Sequence, residues 1–143
     1  EPTGVVGIVA PPTSSLLGLV SVLAPVVATG CTAVVLASEP RPLPAVTLGE
    51  VLATSDVPAG VVNLLTGSVA ETAPWLAGHA DVNALDLTGV DDPDLAADLE
   101  RAAAQTLTRV RRPDPTEDLT RSPGLSRMLG LLEIKTVWHP VGT

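Results

Sequence analysis

"GIVAPPTSSLLGLV", Gly7 to Val20, decides how this chain is read. An apolar, β-branched run stops at two prolines, passes three hydroxyl residues and restarts as a second apolar run. Val5–Ala10 has too little polar alternation for a half-solvated strand and reads as a strand buried on both faces. Pro11 and Pro12 end it. Thr13 or Ser14 then offers a hydroxyl to cap a helix over Leu16–Ala28. A buried strand handing over to a buried helix is the unit of an open α/β sheet, where ligands sit beyond the strand C-termini.

Working outward, the same unit recurs. Gly30 suits the left-handed position past the first helix, and Thr32–Leu36 is a second strand. The spacing of Leu48, Val51 and Leu52 predicts a helix over Leu43–Ala53. "DVPAG" is a turn, Val61–Thr66 a third strand, and Gly67-Ser68 its stop. A helix over Val69–Gly78, a strand over Ala84–Leu87 and a helix from Pro93 to about Leu107 follow, the last capped by Asp91 or Asp92. Thr108–Arg111 is a fifth strand. Alternating strands and helices imply a parallel sheet with right-handed crossovers. The expected fold is a Rossmann-like α/β sheet of about five strands, covered by helices on both faces, over residues 1–112. Residues 113–123, proline-rich and charged, read as a linker. Residues 124–143 supply a helix, Leu125–Leu131, and a separate strand, Glu133–His139.

Composition narrows the function. Phe and Tyr are absent, so Val, Leu, Ala and Ile must build the core. The formal net charge is −8, and Arg41 is the lone basic residue among the first hundred. Nucleic-acid binding needs a basic stripe, and Arg109, Arg111 and Arg112 stand beside Asp114, Glu117 and Asp118. Leu16–Leu36 is apolar enough to suggest a membrane span, but Pro25, Thr29-Gly30 and Thr32 interrupt it. The single cysteine, Cys31, excludes an internal disulfide and fits a reducing, cytoplasmic setting. No signal peptide is visible. The chain begins at Glu1 without Met, which fits a processing or domain boundary.

"EPTGVVGIVAP", "LAPVVATGCTAVVLASE", "PLPAV", "VPAGVVNLLTG" and "HADVNALDLTG" together resemble the cofactor-binding half of the aldehyde dehydrogenase superfamily across residues 1–110. "GLLEIKTVWHP" resembles that family's last helix and its oligomerisation strand. The resemblance implies an NAD or NADP crevice walled by Pro11, Glu39, Gly67, Thr88 and Gly89. It also exposes departures. Pro12 and Thr13 stand where the family has Trp and the Asn that stabilises the oxyanion. Leu36 replaces a ribose-binding Lys, and Val90 replaces a cofactor-seating Ser. Glu39 keeps the family's ribose-contacting acid. Past Val110 the family continues with a Glu-Leu-Gly-Gly segment bearing the general base, then a catalytic domain with its nucleophilic cysteine. Here Arg111-Arg112-Pro113 leads into the linker instead.

No catalytic residue is expected among these residues. Cys31 opens a buried strand near acidic groups, opposite to what a reactive thiol requires. His79 and His139 lack ligand spacing. Asp91, Asp92, Asp94 and Asp98 lack the glycine and closing glutamate of a calcium loop, so no metal is expected. Loss of a charged hydrogen bond such as the Lys contact costs about 1.5–3 kcal/mol, roughly 10- to 150-fold in affinity. No cofactor is therefore expected, or NAD or NADP if any. The reading is a non-catalytic module that partners an active aldehyde dehydrogenase or belongs to a longer one. It would pair as a homodimer or hetero-oligomer through Glu133–His139, without nucleic acid or membrane. A degenerate NAD(P)-binding module is the second reading. Part of an oxidoreductase whose catalytic domain is supplied elsewhere is the third.

Overall fold

The computed structural model describes residues 1–122 and 124–140. Five strands, β1 (Val5–Val9), β2 (Thr32–Leu36), β3 (Val62–Leu65), β4 (Ala84–Asp86) and β5 (Arg109–Arg111), alternate with four helices. These are α1 (Leu17–Ala28), α2 (Leu43–Ala53), α3 (Val69–Ala77) and α4 (Pro93–Ala104); a short α5 (Ser126–Leu129) follows β5. The sheet is parallel throughout, in the order β3-β2-β1-β4-β5. Chain direction reverses its winding at β1, which pairs with β2 on one side and β4 on the other. A crevice therefore opens beyond the β1 C-terminus, between two crossovers that leave in opposite directions.

Side chains alternate across the sheet. Val6, Ile8, Ala33 and Val35 pack with Leu19, Val22 and Val26 of α1 and Ala45 of α2. Val9, Leu36, Leu85 and Leu87 pack with Ala73 and Leu76 of α3 and Leu99 and Ala103 of α4. Both faces are covered, as the unbroken apolar strands require. Gly89 serves close approach. A Cβ there would lie 2.2 Å from the Ala10 carbonyl oxygen, and the Gly89 N–H donates to Val9 O at 2.9 Å.

Helix ends depart from expectation in one case and meet it in another. α1 starts after Leu16 with no side-chain cap, because Gly18 N–H takes the Ser14 carbonyl instead of a hydroxyl. Asp92 does cap α4, accepting from the N–H groups of Asp94 at 2.9 Å and Leu95 at 3.4 Å, with Pro93 at the first helical position. Among the described residues no helix is long and apolar enough to cross a membrane; α1 has 12 residues and gives way to β2.

The expected strand Glu133–His139 does not form. Leu132 makes a single antiparallel bridge to Pro2, Glu133 N–H donates to Glu1 O at 2.7 Å, and residues 133–140 then run without a ladder. A strand exists by pairing, and the N-terminal residues beside this segment offer one bridge before they turn into β1. Its side chains stay outside, with Ile134 96% and Trp138 89% exposed.

Residues 113–122 are held in two Asx turns. The Thr116 hydroxyl, and next the Thr116 N–H, donates to Asp114 at 2.7 and 2.9 Å and holds that carboxyl below its usual range. Thr120 does the same for Asp118, at 2.6 and 2.9 Å. Beyond them α5 packs on α1.

Candidate functional site: a crevice and a neighbouring cleft

The loops after β1, β2 and β4 meet above the sheet. A crevice of about 520 Å³ lies between Ala10, Pro12, Glu39, Val69, Gly89 and Val90. Across Pro12, Val90 and Asp91 it adjoins a second cleft of about 580 Å³, whose fixed wall includes Pro11, Thr13, Thr88 and Ala96. Both volumes lie within the range of small-molecule sites. Of the residues expected to wall a crevice, Glu39 and Gly89 face the first and Pro11 and Thr88 the second. Gly67 faces neither. It stands at the entry to α3 with φ +145°, a conformation natural to glycine.

Two acidic groups of the crevice bond the chain itself, Asp92 as the α4 cap and Glu39 at the start of α3. Glu39 Oε2 accepts from the Val69 N–H at 2.9 Å, so the carboxylate sits on the first turn of α3, where the helix dipole favours it. Leu36 is 3% exposed and packs into the α3–α4 face of the core. The β1–α1 loop is tied down by its neighbours. The Ser38 hydroxyl donates to Pro12 O at 3.1 Å, and Arg41 Nη1 donates to Thr13 O at 3.1 Å. Arg41, the lone cation of the first hundred residues, is there, and its isolation in the charge pattern was the available signal.

The β4 side is built differently. Asp86 ends a strand that is otherwise apolar and is 7% exposed. It faces Arg127 from α5, 4% exposed, whose Nη1 lies 2.6 Å from Asp86 Oδ2. Arg127 Nη2 also donates to Thr88 Oγ1 at 3.2 Å and to Glu117 Oε2 at 2.7 Å, and its Nε to Glu117 Oε1 at 3.3 Å. Thr88 returns its N–H and hydroxyl to Asp86 Oδ1. Arg111 Nη2 completes the group, 3.1 Å from Glu117 Oε1. The buried Arg127–Asp86 pair is hydrogen-bonded on both sides, as such a pair requires, while Arg111 Nε is buried without a hydrogen-bond partner among the described residues.

The cysteine and the two histidines lie away from both openings, whereas Asp91 and Asp92 stand at the crevice wall. Cys31 is buried at the start of β2, the far end of the sheet, with its thiol 3.7 Å from Leu131 O. His79 Nδ1 accepts from the Asp81 N–H at 3.2 Å in an exposed turn, and His139 lies in the exposed terminal segment. Of the four aspartates after β4, Asp92 is the helix cap.

A strand-helix sheet with its crevice at the β1 reversal, and Thr88-Gly89 folded against the end of β1, is the frame in which comparison with known proteins becomes decisive. The profile of the Aldehyde dehydrogenase family matches residues 1–111. The chain belongs to the aldehyde dehydrogenase family. It is 36% identical over 110 residues to (Z)-2-((N-methylformamido)methylene)-5-hydroxybutyrolactone dehydrogenase of Acinetobacter baylyi, covering 77% of this chain and 22% of that one. It is 42% identical over 90 residues to 2-hydroxymuconic semialdehyde dehydrogenase of Pseudomonas sp. strain CF600, covering 62% and 18%. Among solved structures, aldehyde dehydrogenase C of Pseudomonas syringae, crystallised as a variant with NAD+ and octanal, superposes with a TM-score of 0.72 at 34% identity, over 77% of this chain and 22% of that one. Betaine aldehyde dehydrogenase of Staphylococcus aureus with NAD+ gives 0.71 at 31%, over the same shares. The chain thus spans about a fifth of the length of the aldehyde dehydrogenases it matches. The shared part is the Rossmann-like sheet.

Proposed function

We propose that these residues form a non-catalytic aldehyde-dehydrogenase-like module, a structural or regulatory piece beside an active dehydrogenase or within a longer one. One observation carries the reading. Of the two positions expected to grip a dinucleotide ribose, Leu36 is apolar and 3% exposed and can make no hydrogen bond, while the Glu39 carboxylate accepts the Val69 N–H on Oε2 and is held at the N-terminus of α3. A dinucleotide has the room, but the residues do not fit its grip, and Thr13 has no amide for an oxyanion. No step of aldehyde oxidation is derived for these residues.

The module's partner surface is the segment Glu133–His139. Its apolar side chains Ile134, Val137 and Trp138 are exposed. Exposed backbone of this kind is completed by adding to another sheet, in a homodimer or with an aldehyde dehydrogenase subunit. A cytoplasmic setting suits the free thiol of Cys31. The crevice volume and the nearness of Arg41 favour a second reading, a degenerate NAD(P)-binding module.

An aldehyde oxidation assay with NAD and NADP on the purified chain tests the first reading, with Cys31→Ala as control. No turnover is expected; turnover that survives the substitution overturns it. Light scattering after gel filtration tests the partner surface. A dimer that becomes monomeric on Ile134→Asp with Trp138→Asp is expected. A monomer that also fails to bind a full-length family member removes the surface.

A further inference from the structure

The cleft beside Thr88 has one fixed wall and one wall of a different kind. Its second wall is Arg112–Leu119, which presents Pro113, Pro115 and Leu119 to the space. We propose that Arg112–Leu119 is a strap that closes this cleft, latched by the Glu117 carboxylate on the guanidinium groups of Arg111 and Arg127, and that it opens as a unit when this latch is broken.

The strap joins no sheet or helix. Its own hydrogen bonds are local: Glu117 N–H to Asp114 O at 3.1 Å, and the two Thr116 bonds to Asp114. Together with Pro113 and Pro115 they stiffen it, so it moves as a piece. Three attachments tie it to the rest of the molecule among the described residues. Arg112 meets Glu100 at 2.6 Å, but its side chain is 77% exposed, and an exposed pair contributes little. The Ser21 hydroxyl reaches Leu119 O at a long 3.4 Å. Glu117 is the third, taking Arg127 in a two-pronged contact and Arg111 beside it. Charge-assisted, forked bonds of this type are the strong ones.

What makes the latch reversible is the receptor. Arg127 keeps Asp86 and Thr88 when Glu117 leaves. Opening the strap therefore leaves Arg127 paired, Arg111, 38% exposed in its side chain, turns from Glu117 to water, and the seat for Glu117 stays formed. Two arrangements of one segment around a fixed seat make a two-state element. The expected consequence of opening is wider access to Thr88 and to Ala96, which is 7% exposed and lines the cleft across from the strap. The device does not depend on whether a dinucleotide binds.

Hydrogen exchange by mass spectrometry on the full chain tests it, comparing wild type with Glu117→Gln and Glu117→Ala. Exchange across residues 112–119 should quicken by at least about tenfold, the scale of a lost charged hydrogen bond, while β1 and β2 keep their protection. In parallel, a thiol reagent should label Ala96→Cys, made in a Cys31→Ser background, about tenfold faster when Glu117→Gln is added. Strap exchange within twofold of wild type would overturn the proposal. So would core exchange rising in step with the strap, because Glu117 would then support the whole fold rather than a separate latch. Faster strap exchange with unchanged labelling at position 96 would show that the strap does not close the cleft.

Discussion

The two sides of the β1 loop carry opposite solutions to the same geometry. On the β2 side the strand ends open onto a crevice where Glu39 bonds the start of α3, beside a loop held by Arg41 through Thr13. On the β4 side the strand ends in a buried carboxylate, and a guanidinium from α5 reaches across to meet it. In both places these side chains bond other parts of the chain. The difference is cost. The crevice side can lose a side chain with little structural consequence, whereas the β4 side holds charges that must stay paired.

Breaking the pair on the β4 side has the largest expected effect. Arg127→Met leaves Asp86 buried and unpaired, and should lower unfolding free energy by about 3–5 kcal/mol in a denaturant titration. Asp86→Asn combined with Arg127→Met should recover most of that loss, since no buried charge remains. A single variant within about 1 kcal/mol of wild type would mean the pair is hydrated and the contrast between the sides is false.

The seam between the two sides is Gly89. An added Cβ meets the Ala10 backbone, so Gly89→Ala should cost about 1–3 kcal/mol by overpacking, read from the thermal midpoint. On the crevice side, Leu36→Lys sharpens the comparison. If absent side chains alone limit binding, a restored cation should raise dinucleotide affinity at least about tenfold by calorimetry. An unchanged affinity would place the obstacle in the Glu39–α3 contact. Asp92→Ala should cost about 1 kcal/mol through the lost α4 cap, measured as a lower midpoint.

The smallest effect is in the strap's turns. Asp114 and Asp118 titrate below their usual range because Thr116 and Thr120 donate to them. A lowered folded value means the turns are supported at neutral pH and lose that support as pH falls through it. Thr116→Val should return Asp114 toward the ordinary carboxylate range in an NMR titration, with no change at Asp118.

The sheet was legible because apolar runs such as Val5–Ala10 and Thr32–Leu36 announce burial on both faces, and glycine and proline punctuate them. Of the five wall positions the family resemblance implied, Glu39 and Gly89 line the crevice, and Pro11 and Thr88 line the neighbouring cleft. What escaped was pairing at a distance. Asp86 reads in sequence as one charge in "NALDLTG", and nothing in a one-dimensional pattern ties it to Arg127. The resemblance makes Glu39 a ribose contact, while its bond from the Val69 N–H depends on where α3 begins. The terminal segment has a strand's composition, but a strand's existence rests on a neighbour that composition cannot supply.

Calorimetric titration of the purified chain with NAD and with NADP tests the central claim most directly. With Leu36 apolar and Glu39 already bonded, no heat of binding is expected at sub-millimolar dinucleotide. Ordinary micromolar binding in the crevice would contradict the claim and make this a working coenzyme module.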